Sequence, residues 1–444
     1  MIVSASEAKS ITDKVLSLSK AESCVVSLGG HKRRHLRFAL NSITTNGEQD
    51  DLTLSIHSNF GARSGSARTN EFTDAAIASA VAKSEQLARF APPDPEFMAP
   101  LGPQDYLPGR AYFESTAQTG PDQMSAMAKP ALDLAAAKEV SAAGFFNVGS
   151  AGSAMATSKG LFAHETSTSA LFSISARTSD GTGAGWAGVN FQDIGRLEPR
   201  VLGARAVQKT GDSRGPLPLQ PGKYLVLLEP SAVCDLLSAL VGRLDARHAD
   251  EGRSFFTKKG GGNKLGEKIF AEKVNVYSDP HDPIAPGGIY STDGLPAKKR
   301  NWIDNGVLGE MIYTRHWARK SGREPVPFPT NIVMQGGNVT QDDIIANVKR
   351  GILVTRLWYI REVDPRTLVL TGLTRDGTFL IENGKISRPV KNFRFNESPV
   401  AMLNNIEAMG RSERAIGSET TELPVSVPPL LVRDFTFSSL SDAV

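Results

Sequence analysis

The chain has 444 residues, 40% of them hydrophobic and 22% charged, with a formal net charge of +3. That length suits two or three domains and that composition excludes wholesale disorder, while so small a charge does not by itself call for nucleic acid or an anionic membrane. Only Cys24 and Cys234 carry sulfhydryls, which excludes a disulfide framework and a cysteine-rich zinc centre.

Taken in chain order, the first segment reads as a capped amphipathic helix over 4–18, with Ala8, Ile11, Val15 and Leu18 on one side. Glu7, Lys9, Asp13 and Lys14 interrupt its apolar residues, so no export core forms there, and no run of about 18 apolar residues occurs elsewhere. The expected compartment is the cytoplasm, by default. Strands are expected over 24–28 and 36–43 around a turn at Gly29–Gly30, and a third over 52–57, where Leu52, Leu54 and Ile56 alternate with polar residues. Thr73 caps a helix whose Ile77, Ala80, Val81, Leu87 and Ala88 share a face. Prolines then break the chain over 91–108, before an alanine-rich helix over 123–140. Strands over 145–148, 154–157 and 170–178 and a helix over 198–209 complete the first half.

The proline-rich stretch 211–222 is the expected domain boundary, giving domains 1–212 and 213–444. A strand over 224–228 leads into the clearest helix of the chain, over 231–244, with Val233, Leu236, Leu237, Leu240, Val241 and Leu244 at helical spacing. Beyond it strands are expected over 274–277, 368–371, 378–382 and 385–393, with short helices over 341–350 and 400–409. Strands and helices mix without βαβ alternation, so the expected fold class is α+β in both halves.

Motifs with chemical meaning fail one by one. Gly183-Ala-Gly-Trp-Ala-Gly188 fits the G-x-G-x-x-G string, but strand-like residues follow it, which favours a glycine-rich hairpin over a dinucleotide site. The stretch 261–268 has Glu267 where a phosphate loop needs lysine. His164-Glu165 lacks a second histidine, since Thr168 and Ser169 follow, and reads as a polar surface pair on a strand. His31 and His35 enclose three cations that would oppose a metal. The basic clusters at 31–37, 298–300 and 315–323 read as solvated surface. His248, Asp250 and Glu251 could join His281 and Asp282 in an alternative metal site if the fold brought them together.

Several ordered stretches resemble the TldD/PmbA family, formerly labelled modulators of DNA gyrase. They include Gly61-Ala-Arg-Ser-Gly65, Ala91-Pro-Pro-Asp-Pro95, Asp250-Glu-Gly252, Leu265-Gly-Glu267, the run 274–282, Thr292-Asp-Gly-Leu-Pro296, the run 302–308 and Ile381-Glu-Asn-Gly-Lys-Ile386. The resemblance implies a two-domain subunit of a cytosolic peptidase built from TldD-like and TldE/PmbA-like chains. In the TldD-like chain an H-E-x-x-x-H helix and a later cysteine hold zinc, and the glutamate acts as general base. The positions here that match are Ser238, Ala239 and Arg243, with the cysteine falling near Gly417–Ser418. Serine is a poor zinc ligand, alanine is no base and arginine repels a cation. The resemblance therefore implies a TldE/PmbA-like subunit with no catalytic residue and no metal of its own, zinc being expected in a TldD-like partner. Its other partner would be an unfolded or flexible peptide, with neither nucleic acid nor membrane, and a homodimer stays open where the partner is missing. The alternatives are a stand-alone peptide-binding module, or an active metallopeptidase with a non-standard ligand set.

Overall fold

The computed structural model describes residues 2–418 and 423–441. The chain opens on α1 (Ala5–Leu18), started by a capping box: the Ser4 hydroxyl accepts from the Glu7 amide, and the Glu7 carboxylate accepts from the Ser4 amide at 2.8 Å. Two donors that a helix start leaves open are thereby satisfied. Next, β1 (Ser23–Ala39) and β2 (Ser42–Phe60) form one long antiparallel hairpin.

The turn expected at Gly29–Gly30 does not exist. Both glycines lie inside β1, opposite Thr53 and Leu52, and the chain reverses at Leu40–Asn41, where both residues take positive φ. Asn41 holds this reversal through its side chain, bonded to the Val140 carbonyl and the Ala142 amide. Two cations of the basic cluster at 31–37 are paired across the hairpin, Lys32 and Arg34 reaching Glu48 at 3.2 and 2.6 Å. Further along the same face, Leu36 and Phe38 enter the core.

After β3 (Arg63–Thr69) the Thr73 hydroxyl caps α2 (Asp74–Phe90). A Cβ at Gly65 would stand 2.2 Å from the Ala88 nitrogen, so this helix can lie on β3 only because position 65 is glycine. A short helix α3 (Glu114–Ala117), α4 (Pro121–Ala137), β4 (Val140–Thr157), β5 (Phe162–Thr178), β6 (Ala184–Phe191) and α5 (Pro199–Asp212) follow. The strands expected over 145–148 and 154–157 are one strand, because the small residues between them stay paired, Gly149 with Ser169 and Ala151 with Ser167.

All six strands join in the order β3-β2-β1-β4-β5-β6. Val26, Leu28, Leu54 and Ile56 pack beneath α1 and α2, and Leu36, Phe146 and Phe172 beneath α4 and α5, so the four long helices cover one face. The glycine run at 183–188 is a hairpin arm: β6 starts within it, and apart from one 3-10 turn over Ile194–Arg196 no helix begins until Pro199. Its glycines serve packing, since a Cβ at Gly185 would stand 2.2 Å from the Ala206 carbonyl of α5.

The second half begins with β7 (Gly222–Leu228) and α6 (Pro230–Val241). Six short strands, β8 (Val276–Ser278), β9 (Arg300–Asp304), β10 (Val307–Leu308), β11 (Ile332–Met334), β17 (Glu413–Ala415) and β18 (Val425–Val427), form a sheet ordered β10-β9-β8-β11-β18-β17. The remaining strands are β12 (Arg350–Asp364), β13 (Val369–Glu382), β14 (Lys385–Pro389), β15 (Phe393–Glu397), β16 (Ile406–Met409) and β19 (Leu430–Leu440). With β7, all of these but β16 run in the order β12-β7-β19-β15-β13-β14; β16 pairs with β19, and β12 also pairs with β13, closing a five-stranded ring. The segments expected as strands over 368–371 and 378–382 are both parts of β13, and the helix expected over 400–409 stops at Asn404 before β16.

Between ring and sheet lies α6. Its apolar periodicity predicts one buried stripe, but ten of its residues are buried, Ser231 and Asp235 among them. Enclosure on all sides explains this: the helix shares one core with Trp302, Met334, Phe395 and Phe435. Each fully buried leucine on it contributes roughly 1.5–3 kcal/mol. The fold is α+β, and two beds of structure meet along the helix-free face of the first sheet.

Candidate functional site

Position 238 lies in the last turn of α6, where the Ser238 hydroxyl is buried and has no hydrogen-bond partner among the described residues. Ala239 follows, partly buried. Arg243 stands beyond Gly242, which caps the helix, and its Nε contacts Glu362 Oε2 at 2.6 Å. Ser418 is brought against the same helix: its amide and its hydroxyl both donate to Asp235 Oδ2, each at 2.9 Å. Together these positions offer a hydroxyl, a methyl group, a paired guanidinium and a second hydroxyl. That set does not fit zinc, which needs thiolate, imidazole or carboxylate donors around it.

The alternative ligands are not brought together. Asp250 accepts from Asn263 Nδ2 at 2.7 Å and from Trp317 Nε1 at 2.8 Å, so both its oxygens are engaged in packing. Glu251 is held between Arg247 and Arg253, whose hydrogen bonds keep its carboxyl below the usual range. The backbone of His248 is capped by Asp245, while the His281 ring donates from Nε2 to the Pro108 carbonyl at 2.7 Å and pins the proline-rich connection. Among the described residues no three His, Cys, Asp or Glu side chains gather at one point.

A cleft of about 1030 Å³ opens between the halves. Its floor is the helix-free face of β4, β5 and β6, carrying Asn147, Gly149, Ser169 and Asn190, and its roof includes 286–293 and 327–330. Ser153 and Tyr290 share a 2.6 Å hydrogen bond across the junction, and the Ile289 amide donates to Glu165 Oε2 at 2.8 Å. His164 and Glu165 are therefore not a surface pair. Strand alternation sends His164 towards the Val3 carbonyl on the helix side and Glu165 into the cleft. Arg414, on β17, also lines the cleft, and its Nε donates to the Asn190 carbonyl at 2.7 Å. No sequence motif marks Arg414 or Glu165, since each acquires its setting from the other half, Arg414 from strand β6 and Glu165 from the loop at Ile289.

Burial pushes the Glu165 carboxyl above its usual range, against the pull of the Ile289 amide. A carboxyl whose pKa is raised on folding binds protons better in the folded state, so its ionisation costs stability as pH rises from its ordinary value through the folded one. Glu165→Gln removes that cost. The melting temperature of the variant relative to the parent should climb as pH rises from the ordinary glutamate range through the raised folded-state one. A difference that stays flat or falls with pH would show that Glu165 ionises freely.

Two models of PmbA/TldA metallopeptidase domains match this chain, the central domain over residues 119–214 and the C-terminal domain over 221–439. A metalloprotease of Methanothermobacter thermautotrophicus is 24% identical over 289 residues, covering 59% of this chain and 60% of its own. A metalloprotease TldD homologue of Buchnera aphidicola is 29% identical over 204 residues, covering 43% of this chain and 41% of its own. The chain thus spans about half the length of the curated relatives it matches. In three dimensions TldE from Thermococcus kodakarensis superposes with a TM-score of 0.86 at 18% identity, over 98% of this chain and 100% of its own, a likeness of fold. With its central and C-terminal parts both matched and its whole fold shared, this chain belongs to the PmbA/TldD family of metallopeptidase-like proteins.

Proposed function

We propose that this chain is the non-catalytic, TldE/PmbA-like subunit of a heteromeric cytoplasmic zinc metallopeptidase. Its active partner would be a TldD-like chain carrying zinc, and its own contribution would be to help enclose a cleft for unfolded or flexible peptides. The observation that carries this reading is the end of α6, where Ser238, Ala239 and Arg243 offer no metal donor set and Ser418 is bonded to Asp235. Ten residues of the helix remain buried, which supports the reading of a scaffold kept without the chemistry. A cleft floored by a sheet face and small side chains suits a chain in extended form.

The test is the metal content of the purified chain, alone and after co-expression with a TldD-like homologue from the same genome. The expected result is no stoichiometric zinc on the lone chain and one zinc per co-purified pair. Stoichiometric zinc on the lone chain would overturn the reading and favour an active enzyme with other ligands. Failure to co-purify with the homologue would favour a stand-alone peptide-binding module. Introducing Ser238→His, Ala239→Glu and Arg243→His together should leave the chain without peptidase activity, because no cysteine stands near position 418.

A further inference from the structure

Arg414 is 7% exposed and forms no ion pair among the described residues, although it carries a guanidinium into a cleft wall. One nitrogen, Nε, is spent on the Asn190 carbonyl, whereas Nη1 is buried and has no hydrogen-bond partner among the described residues. Burial pulls its pKa down to about 10, which leaves the group charged at neutral pH. A buried charge without a counter-ion is costly. The group that acts on it most strongly is the buried Cys234 of α6, and the carboxylate of Asp282, which acts less strongly, is already engaged, accepting from the amides of Ile284 and Ala285 and from the Tyr277 hydroxyl. Arg196 adds a second positive charge to the neighbourhood.

We infer that Arg414 is the anchor of a carboxylate subsite at one end of the cleft, and that the group it takes is a carboxylate of a bound peptide. A guanidinium whose Nε is fixed by a main-chain carbonyl keeps its Nη nitrogens oriented, and that fork matches a carboxylate. On the floor, Asn190 of β6 is paired with Leu171 of β5, which in turn is paired with Asn147 of β4. The Asn147 side-chain oxygen is also buried without a partner among the described residues and can accept from a peptide N–H. Gly149, Ala151 and Ser169 beyond it leave room for a main chain. The acidic residue of the floor, Glu165, lies six residues along β5 from Leu171, a distance of roughly 20 Å. It is too remote to repel an anion held at Arg414.

The subsite rests on the reading of the cleft as a peptide site, but not on the pairing with a zinc-bearing subunit. The probe is a short, uncharged Ala-Gly-Ser peptide made as the free acid and as the C-terminal amide, together with an amidated version carrying one internal Glu or Gln. Each is titrated into the full-length chain. The expected result is that the carboxylate form of one pair binds about 10- to 100-fold more tightly than its neutral match. The pair that responds tells a C-terminal carboxylate from a side-chain one. Arg414→Gln should abolish the difference and Arg414→Lys retain part of it, with melting temperature checked for each variant. Arg33, exposed at the cleft rim, and Arg196 are the competing cations. Arg33→Gln and Arg196→Gln should each keep the difference, which decides the assignment even where Arg414→Gln does not fold. Equal binding within both pairs, or loss of the difference in Arg33→Gln or Arg196→Gln, overturns the subsite. Failure of every peptide to bind would overturn the reading of the cleft itself.

Discussion

Lys209→Ala is expected to destabilise the chain by about 3–5 kcal/mol, measured by chemical denaturation of the full-length protein. Lys209 extends from α5 of the first half, and its Nζ meets Glu229 Oε2 at 2.6 Å. Glu229 is the residue that precedes α6, so this pair fastens the two halves at the start of the buried helix. The two side chains are only 12% and 10% exposed. Burial pulls the ammonium pKa down while Glu229 pulls it back up, as the desolvation of a paired charge requires. Deleting the lysine leaves Glu229 buried with only the 3.4 Å side-chain contact from Gln341 Nε2 among the described residues, and takes from Glu413, whose own carboxyl burial pushes up, one of the two cations that act on it, Arg205 being the other. Replacing both partners, Lys209→Met with Glu229→Gln, should recover most of the loss, because no uncompensated charge then remains. A single-variant loss below about 1 kcal/mol would show that water reaches the pair and that it behaves as a surface contact.

Arg356→Ala is the second large effect, expected to cost about 3 kcal/mol in the same measurement. Arg356 is on β12 and donates from Nε to Asp376 Oδ2 at 2.7 Å, with side chains 11% and 3% exposed. Its guanidinium lies 4.7 Å from the ring centre of Trp186, which belongs to β6, and 5.4 Å from that of Trp358. Such stacking on a desolvated cation adds to the ion pair. Removing the side chain therefore strips a charge partner from Asp376 and a packing partner from Trp186 across the junction of the halves. Arg375, with Nε 3.8 Å from the same Asp376 oxygen, softens the loss, which places the value at the low end of the range for broken buried pairs. Arg356→Lys should recover less than half, since an ammonium lacks the flat face that the indoles cover. Full recovery by lysine would mean that charge alone matters and that the two tryptophan contacts contribute nothing.

What could be read along the chain was local. The caps at Ser4 and Thr73 are four-residue patterns, and both helices begin where those patterns place them. Expectation and structure parted where a residue's meaning depended on a distant strand. Gly29–Gly30 suggested a turn, but β2 and β4 flank them on both sides and keep the strand straight. The run 149–153 suggested a break for the same reason, and is continuous because β5 pairs with every residue of it. No element was expected over Arg350–Asp364, whose charged and apolar residues do not alternate cleanly, yet it is the strand that closes the ring.

By itself the sequence determined the fold class, the helix before position 242 with its apolar stripe, the family to which the chain belongs and the residue types at positions 238, 239, 243 and 418, for these are matters of composition, spacing and identity. Tertiary structure alone decided that Ser418 bonds to Asp235, that Arg243 finds Glu362, that Glu165 faces a cleft and His164 does not, and that Arg414 is buried against Asn190. The physical reason is that desolvation and partner choice are set by atoms tens or hundreds of residues away, and a charge acquires its cost or its use only when the second half of the chain closes over the first.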